Sequence, residues 1–179
     1  MVEDLQPCTY FPFVPAKLVA VGWLERGKAY SRVGLPQRPA APKRRRWFFQ
    51  RTRSVTSKPG NGGSDARAAH QRLGGVYEQL SLMLERPWQP GAFGGFHECD
   101  LCRFKSEACG TVNLFIPGNG VIYVCPELIV HYINAHEYVP PDEFCRAVDD
   151  CPPIGSDEYF DALRSCGGGS MLRPSGGEV

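Results

Sequence analysis

Long apolar runs are missing from this chain of 179 residues. No stretch approaches the roughly 18 apolar residues that a membrane-spanning helix needs, which argues against a helical membrane protein. The opening, Met1-Val2-Glu3-Asp4, is acidic and has neither the basic nor the apolar region of a secretory leader. The expected location is therefore cytoplasmic. Common catalytic signatures are also missing. There is no Walker loop, no G-x-G-x-x-G and no G-x-S-x-G, which removes the usual nucleotide-binding and acyl-hydrolase readings. No internal repeat is present, so a solenoid is excluded. Histidine is scarce, with four residues in the whole chain.

Cysteine, in contrast, is plentiful. In a reducing compartment eight cysteines are better read as metal ligands and buried small apolar groups than as four disulfides. The hydrophobic fraction of 42% is ordinary and supports one core, in one domain with appendages. Charge is unevenly spread. Residues 1–98 carry fifteen Lys/Arg against seven Asp/Glu, whereas residues 99–179 carry five against twelve. That asymmetry fits either a basic arm beside an acidic module or two halves that attract one another.

Four regions follow from pattern. Residues 1–34 form an N-terminal segment whose apolar run, Leu18 to Leu24, predicts a buried strand. Residues 35–65 read as a flexible basic linker rich in Pro, Arg and Gly. Residues 66–166 hold a helix and a metal-binding module. Leu73, Val76, Tyr77, Leu80, Met83 and Leu84 make one apolar stripe over 66–86. Thr111–Ile116 and Val121–Val124 predict strands joined at Pro117-Gly118-Asn119-Gly120. Pro126 and Glu127 open a helix that reaches about His136. Asp142 to Val148 predicts a further helix, and Ser156 caps one that ends near Cys166. Residues 167–179 are Gly-rich and predict a disordered tail.

Within the module, Cys99 and Cys102 form a C-x2-C pair, and His131 and His136 follow as H-x4-H. Two thiolates and two imidazoles complete a tetrahedral zinc site, and together they are neutral with the metal. The order is a cysteine knuckle, then a hairpin, then a helix, the layout of a zinc finger with a long hairpin. The competing reading makes these reduced core cysteines and surface histidines. Five residues place the two histidines about 140° apart on an ideal helix, so they do not share a face. Cys125, just before the helix, is the best substitute ligand, and His97 and Cys109 are weaker candidates.

A catalytic metal does not fit this pattern. His131–His136 is not H-E-x-x-H, His97-Glu98-Cys99 is not the deaminase arrangement, and four protein ligands leave no open position. The basic stretch Lys43–Arg53 interleaves Arg44, Arg45 and Arg46 with Trp47, Phe48 and Phe49. Guanidinium groups neutralise phosphates and rings stack on bases, so nucleic acid is a candidate partner there. The bland reading is a solvated face.

Several short motifs resemble a family of bacterial proteins known as a domain of unknown function. They are Glu3–Phe11 with Val21-Gly22-Trp23-Leu24, and Gly95–Cys102, Gly110, Asn113-Leu114, His131-Tyr132-Ile133, His136, Pro140-Pro141 and Phe144. Their shared order covers about half of the chain. The resemblance implies no activity. Residues 35–65 depart from it, because a short connection is expected there. The sequence thus predicts a small α+β protein built around one structural zinc held by Cys99, Cys102, His131 and His136. It predicts a non-enzymatic protein-interaction module, with nucleic-acid binding through 43–53 or an enzyme of unrecognised type as alternatives. Oligomeric state is not encoded in any motif.

Overall fold

A computed structural model of the chain describes residues 3–9, 11, 14, 16–32, 64–91, 96–102 and 109–172, with backbone alone for 64–70. Residues 35–63 of the expected 35–65 linker, with the basic stretch Lys43–Arg53, lie outside these residues, as do 173–179; Ser64 and Asp65, expected in the linker, instead open the first helix. The architecture is α+β. Strand β1 is Leu18–Ala20, helix α1 is Ser64–Glu85, and β2 (His97–Glu98) pairs with β3 (Cys109–Gly110). Strands β4 (Asn113–Gly118) and β5 (Val121–Pro126) precede helices α2 (Ile129–His136), α3 (Asp142–Asp149) and α4 (Asp157–Ser165).

The central sheet has the order β1-β5-β4. β4 and β5 are the expected hairpin, antiparallel with Phe115 opposite Val124. Its turn is the two residues Asn119 and Gly120, at φ of 53° and 71°. Two successive left-handed residues match the right-handed twist of a tight hairpin, which is why Asn-Gly suits it. The strands outrun their predicted ends. Pro117 is tolerated because β4 lies at the sheet edge. Pro126 closes β5 instead of opening α2, which starts at Ile129.

β1 joins β5 in parallel, Val19 opposite Tyr123. It is shorter than the apolar run predicts, because Gly22 takes a φ of 74° and turns the chain. β5 is buried at every position. A continuously buried strand needs cover on both faces, and α3 and α4 both pack against the hairpin. α1 packs against α2 and α3 through Val76, Leu80 and Met83, the heart of the predicted stripe. Tyr159 of α4 is buried, and its hydroxyl donates to the Phe115 carbonyl at 2.8 Å. Trp88 meets the rings of Phe115, Tyr159 and Phe160 edge-on. The Ser156 hydroxyl accepts from the Tyr159 N–H at 3.2 Å, the predicted cap.

One expectation needs correction. The Gly-rich composition predicts disorder from 167, yet Gly168–Leu172 forms a short 3-10 turn against α4. Met171 and Gly168 are buried there, and a Cβ on Gly168 would lie 2.7 Å from Ile122. Apolar anchoring by Met171 outweighs the flexibility of the glycines. Among the described residues no helix is long and apolar enough to cross a membrane.

Candidate metal centre

Cys99, Cys102, His131 and His136 meet at one point. One ligating atom from each lies within 4.8 Å of every other. The Cys99 sulfur is 3.3 Å from His136 Nε2, and the Cys102 sulfur is 3.4 Å from His131 Nε2 and 3.6 Å from His136 Nε2. A tetrahedral ion with bonds of about 2.3 Å to sulfur and about 2.0 Å to nitrogen has S···N edges of about 3.5 Å. The observed edges therefore match a donor set closed around one small ion.

Two chain segments supply these donors. β2 leads straight into Cys99, and the chain then turns at Asp100-Leu101 to return Cys102. Backbone N–H groups of Leu101 and Cys102 donate to the Cys99 sulfur, which favours its thiolate against the burial that raises it. The histidines come from α2. The Glu137 N–H bonds the Tyr132 carbonyl, five residues back, where this helix ends. Glu137 then takes a left-handed conformation at φ 56° and ends the helix. The two imidazoles stand 5.0 Å apart between ring centres, at 77° to one another. Burial lowers the pKa of both, with His131 and Arg32 adding positive charge at His136. Neutral imidazole is the ligating form.

The substitute ligands fall elsewhere. Cys125 is fully buried in β5, opposite Leu114, and belongs to the core. Cys109 is exposed on β3. His97 Nε2 lies 3.1 Å from the Tyr132 hydroxyl, and its ring stands edge-on to Trp23. It buttresses the helix instead of joining the donor set. Cys8, Cys145 and Cys151 are buried and Cys166 is half-buried, in keeping with packing roles. Burial pushes the Cys145 thiol up to about 11 and the Cys151 thiol up to about 12, which suits inert core groups.

Sequence reasoning missed the N-terminal supports of this centre. Arg26 donates to two carbonyls of the cysteine turn, and Arg32 pairs with Glu137 beside His136. Asp4 accepts from the Gly22 N–H at 2.8 Å and from the Tyr138 hydroxyl at 2.6 Å. No local pattern announces contacts between residues this far apart in the chain.

Residues 63–149 match the model of a family described as a domain of unknown function, DUF7919. The match holds all four donors and spans just under half of the chain. The N-terminal motifs that resemble a family of this kind lie outside it. No curated protein and no solved structure matches the chain.

Proposed function

We propose that this chain binds one structural zinc ion and serves as a non-enzymatic protein-interaction module. The observation that carries the reading is the closed Cys2His2 donor set, whose ligating atoms lie within 4.8 Å of one another. Cys99 and Cys102 would hold the ion from the turn after β2, and His131 and His136 from α2. Zinc bound there supplies a neutral cross-link between these two segments, with two thiolates balancing its charge. Four protein donors leave no position for substrate, which supports a structural role over a catalytic one. Leu82 and Phe96 are exposed large apolar side chains, 61% and 65%, and support an interaction role. The nucleic-acid alternative rests on Arg44, Arg45, Arg46 and Trp47, which lie outside the described residues.

Metal analysis of the purified protein tests the reading. The expected result is one zinc per chain, lost or weakened in Cys99→Ser and in His136→Ala and retained in Cys125→Ala. Cobalt substitution should give the absorption of a tetrahedral thiolate site. A folded wild type without metal would overturn the proposal.

Affinity should also depend on pH in a definite direction. Burial raises the Cys99 thiol, so metal binding near neutrality must expel its proton. The lowered histidines are already neutral there and release none. Zinc affinity therefore rises with pH from 6 to 8, about tenfold per pH unit for each proton released. Competition against a chromophoric chelator measures this, and a flat profile contradicts it.

A further inference from the structure

The Cys99–Cys102 turn is held from outside by a residue far away in sequence. Arg26 Nε donates to the Asp100 carbonyl at 2.8 Å, and Nη2 of the same side chain donates to the Cys102 carbonyl at 3.0 Å. A planar guanidinium presents its donors as a fixed fork and can hold two carbonyls at once, whereas an ammonium acts as a point charge.

The first of these bonds bears directly on the metal donors. The Asp100 carbonyl and the Leu101 N–H belong to one peptide unit. No cis peptide is present among the described residues, and in a trans peptide these two groups point in opposite directions. The Leu101 N–H donates to the Cys99 sulfur. One peptide plane is therefore held by Arg26 on its oxygen side and delivers its N–H to the sulfur on the other. A cation at the carbonyl also polarises the peptide and strengthens that N–H as a donor.

The segment that carries Arg26 is itself anchored at the second half of the site. The Ser31 carbonyl accepts from the Val139 N–H at 3.0 Å, and Arg32 pairs with Glu137, the residue after His136. The stretch 26–32 thus touches the chain next to both donor pairs.

We propose that Arg26 is a positioning residue for the metal centre, acting through the Asp100–Leu101 peptide to keep the Cys99 sulfur in its ligating place. Metal affinity would then depend on a residue outside the 63–149 family match. This inference rests on the metal-binding reading above. Arg26 is exposed, so its effect comes from geometry more than from buried charge. Partners that orient ligands in this way are commonly worth about 10–100-fold in metal affinity, and the exposed position puts Arg26 at the lower end.

The test compares wild type, Arg26→Ala, Arg26→Lys and Lys28→Ala in the full chain. Lys28 lies in the same segment and pairs with Glu25 at 3.2 Å. Zinc affinity is read by chelator competition, and cobalt substitution reads the thiolate-to-metal charge-transfer band. Melting is followed with and without metal. The expected result is about tenfold weaker zinc binding in Arg26→Ala, partial recovery in Arg26→Lys and no change in Lys28→Ala. The charge-transfer band should shift in Arg26→Ala, while metal-free melting stays at the wild-type value. Equal affinity in wild type and Arg26→Ala would overturn the positioning role alone. So would an equal loss of stability with and without metal, because that marks a merely structural contact. A wild type that binds no zinc would overturn the metal reading itself.

Discussion

Stripping the metal will lower the melting temperature by roughly 10 °C or more, and Cys99→Ser and His136→Ala will do the same in metal-containing buffer. Structural zinc contributes apparent binding free energies of about 10–16 kcal/mol in small peptides, while whole domains are stable by only about 5–15 kcal/mol. A chain of this size moves about 2–4 °C per kcal/mol, so recovering even a third of that free energy gives the stated shift. The loss should be regional. β2, the cysteine turn and the end of α2 are joined through the four donors. The β1-β5-β4 sheet is sealed separately by Phe115, Val124, Phe144 and Tyr159. Hydrogen exchange on the metal-free protein should therefore show protection lost at 97–102 and 131–136 and kept at Val121–Pro126. Identical melting with and without metal would remove zinc from the account of stability.

Replacing Gly22 by Ala is expected to cost about 2–5 kcal/mol, combining a left-handed conformation worth about 1–2 kcal/mol with overpacking of about 1–3 kcal/mol. Gly22 sits at φ 74°, and a Cβ built there lies 3.0 Å from the side chain of Ile129. Its N–H is also committed to Asp4. Relief would require moving Ile129, the first residue of the helix that carries His131 and His136. Melting should fall by about 4–20 °C at about 2–4 °C per kcal/mol, and zinc affinity should weaken with it. Gly74→Ala is the contrast. Gly74 lies in α1 with nothing near its missing Cβ, so Ala there should stabilise by up to about 1 kcal/mol. Thermal melts of the two variants decide the matter. A neutral Gly22→Ala would mean that the turn after β1 relaxes freely.

The hairpin illustrates what local chemistry makes legible. Asn119-Gly120 is readable because few residues accept two successive positive φ angles, and the flanking apolar runs have no other way to pair. The same holds for the Ser156 cap and the stripe of α1, where a single side chain or a fixed period carries the signal. Strand ends were less legible. Whether Pro117 and Pro126 continue a strand depends on which side of the sheet needs an N–H, and that follows from sheet order, which no short window contains.

The donor set divides along the same line. Its candidates, Cys99, Cys102, His131 and His136, are legible in the sequence, because thiol and imidazole are groups that bind zinc and the spacing within each pair is short-range. Their convergence is not. On an ideal helix the two histidines diverge by about 140°, and only the tertiary placement of α2 beside the cysteine turn brings both Nε2 atoms to the sulfurs. The exclusion of Cys125 was equally a tertiary matter, since its side of β5 faces the core. Arg26 and Asp4 reach partners 74 and 134 residues away, Asp100 and Tyr138. Local spacing fixes geometry only within a turn or a strand pair, so contacts over such distances exist only once the N-terminal segment has docked as a strand beside β5.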